Sequence, residues 1–151
     1  MIRGRLDEAL KASMLERDVR AVSTLRLILA ALKDRDIAER GRGNHAGLDD
    51  HHILSLLQSM VKQRQESNQG YERGGRADLA RQEAEEIAVI ERFLPPPMDD
   101  REMREVVATV IAELDGKSLR DMGRIMTTLK ERYAGRIDFA AAGAVVKERL
   151  G

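Results

Sequence analysis

The chain has 151 residues, 42 % of them hydrophobic and only 3 % aromatic, with no cysteine. That excludes disulfides, thiolate metal sites and cysteine nucleophiles, and it leaves Leu, Ile, Val, Met and Ala to fill a core, which favours helix-on-helix packing over a β-sandwich. Lys plus Arg equals Asp plus Glu at 26 each, so no global basic field draws in nucleic acid, and any such contact needs a local patch.

Leu6, Ala9, Leu10 and Met14 sit on one helical face and predict a first helix from about Ile2 to Glu16. Asp18 has the position of an N-cap. The second helix then carries Val22, Leu25, Ile28, Leu29 and Leu32 to about Glu39, with Arg26, Lys33, Arg35 and Arg40 off the apolar stripe. Glycines 41, 43 and 47 make residues 41–47 a loop, since each costs about 1 kcal/mol in a helix relative to alanine. Asp49 or Asp50 caps a third helix with Ile53, Leu56, Leu57, Met60, Val61 and Arg64 on its face, and Gly74-Gly75 ends it. The fourth covers about Ala77 to Phe93, with Leu79, Ile87, Ile90 and Leu94 on one side and a polar ridge through Arg81 to Glu86.

Pro95-Pro96-Pro97 are the only prolines. Each lacks an N–H donor and restricts its predecessor, so no helix crosses them, and three together favour a stiff extended link. A second lobe restarts at Asp99 or Asp100, with Met103, Val106, Val107, Val110, Ile111 and Leu114 as its first stripe. Ser118-Leu119-Arg120-Asp121 has the form of a capping box. Leu119, Met122, Ile125, Met126 and Leu129 follow, and Asp138 opens a last helix with Ala142, Val145, Val146 and Leu150 inward. Nothing alternates with period two. The expectation is an all-α chain, a four-helix lobe over residues 1–94 and a small three-helix lobe over residues 98–151, joined at a triproline hinge. At ~55 residues the second lobe lies near the lower limit for folding alone.

The longest apolar run, Leu27 to Leu32, falls far short of the ~20 residues that span a bilayer. Arg3, Arg5, Asp7 and Glu8 break up the start of the chain, so no signal peptide and no membrane partner are expected, and cytoplasmic residence is the expectation.

Among the groups that carry chemistry, Glu83, Glu85 and Glu86 cluster, but without a catalytic or metal-binding spacing they read as a solvated helix surface beside Arg81 and Arg92. His51 and His52 are adjacent, so on a helix they diverge by about 100°, and with Asp49 and Asp50 they read as a polar helix start, not a metal site. No serine sits in a strand-to-helix elbow, and no glycine cluster has the form of a phosphate loop. Gly123 falls inside a helix, where glycine permits close approach of another backbone; packing within the chain is the first reading and contact with a partner the second. The remaining signal is basic. Lys117, Arg120, Arg124, Lys130, Arg132 and Arg136 gather on the sixth helix and its flanks, against Asp121 and Glu131. Phosphate contacts need such a patch, and Tyr133 could stack on a base.

Four segments, in order, resemble the YqeY-like family: Thr24 to Ile28 with Lys33 to Ile37, Lys62 to Ser67, Phe93-Leu94-Pro95, and Lys117 to Met126. The resemblance covers essentially the whole chain. This family is similar to the C-terminal tail of the GatB subunit of the tRNA-dependent amidotransferase. The resemblance implies an all-helical fold with a larger N-terminal and a small C-terminal lobe. It also implies tRNA binding, or help to an amidotransferase-like process through that enzyme or another protein partner. Many members are described as carbon–nitrogen ligases with glutamine as amide donor. The residues show neither an amidase nucleophile nor an ATP site, so no catalytic residue, cofactor or metal is assigned. At the position of Arg124 the family commonly has lysine; charge is kept, though the geometry differs. The leading expectation is a non-catalytic tRNA-interacting module, and the alternative is a protein-interaction adaptor without RNA binding.

Overall fold

Helix α1 (Ile2–Leu15) runs into a tight turn in which Arg17 takes a left-handed φ of +58°. Asp18 then caps α2 (Val19–Gly41), its carboxylate accepting from the Ala21 N–H at 3.1 Å. Asp49 caps α3 (Asp50–Arg73) by accepting from the His52 N–H, and α4 (Ala77–Glu91) starts without a side-chain cap. After the prolines, Asp99 caps α5 (Asp100–Glu113), accepting from the Glu102 N–H at 2.7 Å. One 3₁₀ turn (Leu119–Asp121) leads into α6 (Met122–Tyr133), and Asp138 caps α7 (Phe139–Leu150). The computed structural model describes residues 1–151, and it is all-helical, with seven α-helices and no strand.

The chain divides into two compact units, Met1–Leu94 and Pro95–Gly151. In the first, Leu6, Leu25, Ile28, Ile53, Leu57 and Ile90 are fully buried. Each such side chain contributes about 1.5–3 kcal/mol relative to exposure. α3 and α4 make the most extensive helix pair, and α2 packs on α1, α4 and α3. The face expected for α4 is rotated: Ala80, Glu86, Val89 and Ile90 are buried, whereas Ile87 and Leu94 are only partly so. On α1, Leu6 is buried but Met14, at the far end of the expected stripe, is half exposed.

The second unit has its own core of Val107, Val110, Ile125, Leu129, Ile137 and Val146. Gly116 belongs to this packing. A Cβ there would lie 2.9 Å from Ile125 Cδ1 and 3.3 Å from Ile111 Cγ2, while Asp115 supplies the left-handed residue that ends α5. The proline run is tied to this unit. Arg136 donates from Nε to the Pro96 carbonyl at 3.0 Å, and its own carbonyl accepts from the Met98 N–H at 2.9 Å.

Candidate nucleic-acid interface

The start of α6 is built by a reciprocal cap. Ser118 Oγ accepts from the Arg120 N–H, and Asp121 Oδ2 accepts from the Lys117 and Ser118 N–H groups at 2.8 and 3.2 Å. Those backbone bonds, with the Arg124 guanidinium, hold the Asp121 carboxyl below the usual carboxylate range. Ile125 and Leu129 fill the core. Their burial turns Arg120, Gly123, Arg124, Thr127 and Lys130 to the opposite, exposed side.

The six cations expected to meet phosphate fall into two sets. Four are matched by carboxylates: Arg124 with Asp121 at 2.9 Å, Lys117 with Asp115 at 3.4 Å, Arg136 with Glu102 at 3.8 Å, and Arg132 with Glu113. Three of these partners, Glu102, Glu113 and Asp115, lie outside the sixth helix, so the basicity read along the helix is largely offset in space. Arg120 and Lys130 have no carboxylate partner and project from the exposed face. The pairs are solvent-exposed, and exposed pairs are worth about 0–1 kcal/mol, so a phosphate can replace the carboxylate at little cost.

Gly123 corrects the first expectation for it. Nothing lies within 4 Å of where its Cβ would be, so packing within the chain does not require glycine. Its carbonyl accepts from Thr127 Oγ1 at 2.9 Å, and the helix surface there is open between Arg120 and Lys130. Tyr133 is partly buried and packs against the second core.

Two clusters outside this face also differ from expectation. The carboxylates of α4 are not a solvated ridge beside Arg81 and Arg92. Glu86 is 7 % exposed and accepts from Arg64 Nε at 3.2 Å and Gln82 Nε2 at 3.4 Å, with Arg20 at 3.9 Å. Burial, and then the neighbouring Glu86, pushes the Glu83 carboxyl up. At the start of α3, His51 and His52 converge instead of diverging. Both Nδ1 atoms reach the Asp49 capping oxygen, at 3.0 and 2.7 Å, and the ring centroids lie 4.0 Å apart.

A charged pair that the sequence left unnoticed anchors the loop after α2. Arg3 makes a bidentate contact with Asp36 at 2.6 and 2.7 Å and donates to the Leu48 carbonyl, while Asp36 accepts from the Leu48 N–H at 2.9 Å. The only available signal was an aspartate four residues beyond Leu32 on the buried stripe.

With this geometry in hand, comparison with known proteins decides the family. The chain matches the Yqey-like protein family over residues 3–150. It belongs to the YqeY-like family. Curated relatives carry the name "Altered inheritance of mitochondria protein 41, mitochondrial". The one from Lachancea thermotolerans is 27 % identical over 72 % of this chain and 57 % of its own length. That from Eremothecium gossypii is 32 % identical over 59 % of this chain and 46 % of its own. That from Clavispora lusitaniae is 25 % identical over 93 % and 80 %. The chain thus spans about half the length of the first two relatives. The expectation of cytoplasmic residence is corrected by these names, all of which are mitochondrial. The reason is physical: mitochondrial transit segments are amphipathic and Arg-rich, so a start without an apolar stretch does not indicate the cytoplasm. No helix of this YqeY-like chain is long and apolar enough to cross a membrane.

Proposed function

We propose that this YqeY-like chain is a non-catalytic RNA-interaction module that contacts the tRNA body through the exposed face of α6. One observation carries the reading: Arg120 and Lys130 stand without carboxylate partners on either side of Gly123, where no side chain covers the helix. A phosphate backbone can approach the helix closely there, with two cations placed to receive it and Arg124 beside them. The paired cations at the rim exchange a carboxylate for a phosphate, which keeps the contact weak and strongly salt-dependent. Assistance to a glutamine-dependent amidotransferase-like process rests on the family resemblance alone.

Mobility shift with total tRNA at low salt tests the reading. The chain should retard tRNA at micromolar concentration, and Arg120→Glu with Lys130→Glu should abolish the shift while the helical circular dichroism stays unchanged. Each lost phosphate contact should flatten the salt dependence by about one unit of slope. No shift, or a shift indifferent to both substitutions, removes the α6 reading. A glutaminase assay on the purified chain tests the enzymatic alternative, and activity that survives purification would replace this proposal.

A further inference from the structure

The corner between α1 and α2 carries an exposed apolar surface that the fold of the first unit does not use. Leu15 is 87 % exposed and Val19 80 %, and Met14, Leu27 and Ile37 are about half exposed. Met14, Arg17, Val19, Val22, Ser23 and Arg26 line an open groove of about 330 Å³. At 3.6 residues per turn, Val19, Arg26, Ala30, Lys33 and Ile37 continue from it along one outward line of α2, about 27 Å long at 1.5 Å per residue. The core is reached from the other side of this helix, through Ala21, Leu25, Ile28 and Leu32. Three of the five residues from Thr24 to Ile28 are therefore explained by burial, while Arg26 and Leu27 are exposed.

Charge identifies the occupant. Arg3, Arg20, Arg42, Arg64 and Arg76 of the first unit all pair with carboxylates. Other surface cations of this unit, such as Arg35, Arg40 and Arg81, are unpaired too, but Arg17 and Arg26 are the ones that line the groove, and no acidic residue lines it with them. A surface on which Arg17 and Arg26 stand among Met14, Val19 and Val22 complements a helix with Leu, Ile or Phe at i, i+3, i+4 and i+7 and Asp or Glu beside them. A nucleic acid fits less well, because no aromatic side chain lines the groove to stack a base and phosphates do not cover apolar side chains. A second copy fits less well too, because a two-fold contact through this face would set Arg26 and Lys33 against the same cations.

We propose that the α1–α2 corner docks an acidic amphipathic helix of a partner protein. The inference concerns the first unit and stands apart from the α6 reading, which concerns the second.

The test is selection of 16-residue peptides from an unbiased display library against the full chain. Enriched sequences are then re-made with a fluorophore and titrated by anisotropy. Selected peptides should carry Asp or Glu beside apolar residues at helical spacing. Arg26→Glu and Val19→Asp, both at exposed positions, should each weaken binding at least tenfold with the circular dichroism unchanged, and Lys130→Glu should leave it as it is. No enrichment, peptides without acidic residues, or affinities indifferent to Arg26→Glu would overturn the proposal. So would tRNA or anionic lipid vesicles shifting the amide resonances of Val19, Ser23 and Arg26, or a dimer in gel filtration that Val19→Asp dissociates.

Discussion

Asp36 shows at the residue scale how one buried carboxylate organises a loop. The Arg3 guanidinium, followed by the Leu48 N–H, holds its carboxyl down at about 2, against the opposing effect of burial. Because the folded-state pKa is depressed, the contribution to stability is full above about pH 4 and is lost as pH falls through about 2. It amounts to about 1–2 kcal/mol after allowance for the half-exposed Arg3 side chain. Urea denaturation at pH 5, 3 and 2.5 should show this decline, and Asp36→Asn should flatten it. Gly47 sits in the same loop with φ +78°, and a Cβ there would overlap the Asp36 carboxylate. Gly47→Ala should therefore destabilise by about 2 kcal/mol or more in the same assay. Gly123→Ala should do the reverse, raising stability by about 0.5–1 kcal/mol because the site is helical and open. On the α6 reading it should at the same time weaken tRNA retardation. Thr24 is fully buried and its hydroxyl finds no partner. Removing that orphaned group in Thr24→Val should be neutral or stabilising by up to about 1 kcal/mol, measured by thermal unfolding.

Among the elements, the α3–α4 pair is where the reading along the chain and the structure part most clearly. Three glutamates within four residues look like a solvated ridge when only their own helix is considered. The packing of α3 on α4 brings Arg64, 22 residues away in sequence, onto Glu86. Arg64 itself was legible as part of the α3 face, because it continues the spacing of Met60 and Val61, but its partner was not. Arg64→Ala should cost about 3 kcal/mol by leaving a buried carboxylate unpaired, and Arg64→Leu with Glu86→Leu should recover most of it. Equilibrium unfolding of the two variants, compared with the wild-type chain, measures the difference. The capping residues were legible to within one position: Asp18, Ser118 and Asp138 stood alone, while Asp49 or Asp50 and Asp99 or Asp100 were open choices that the structure decides for Asp49 and Asp99. Each of the five accepts from a backbone N–H in the first turn it precedes. A cap acts over two or three residues and needs no distant partner, so its type and position in the sequence suffice.

For the whole molecule, the two units have separate cores that share no residue. We infer from this that the fragment Met1–Leu94 retains its helical circular dichroism and melts cooperatively when expressed alone. The fragment Pro95–Gly151 should be helical but melt at lower temperature, since so short a chain buries a smaller fraction of its surface. An unfolded 95–151 fragment would show that the units depend on each other. Pro95 to Pro97 are best kept with the second fragment, because Pro96 and Met98 are hydrogen-bonded to Arg136. Cutting at residue 98 would remove those bonds.

By itself, the sequence determined the helical class, the places where helices start and stop, and the family. Hydrophobic period, caps and prolines act locally, so they can be read locally. Only the tertiary structure decided which charges are spent and which remain. The six cations around α6 look alike along the chain, yet Glu102, Glu113 and Asp115 satisfy three of them, Asp121 a fourth, and Arg120 and Lys130 are left over. In the same way it left Arg17 and Arg26 unpaired beside an apolar groove while matching Arg64 to Glu86. Coulomb interactions depend on separation in space and on the dielectric around each group, and neither exists until the helices have packed.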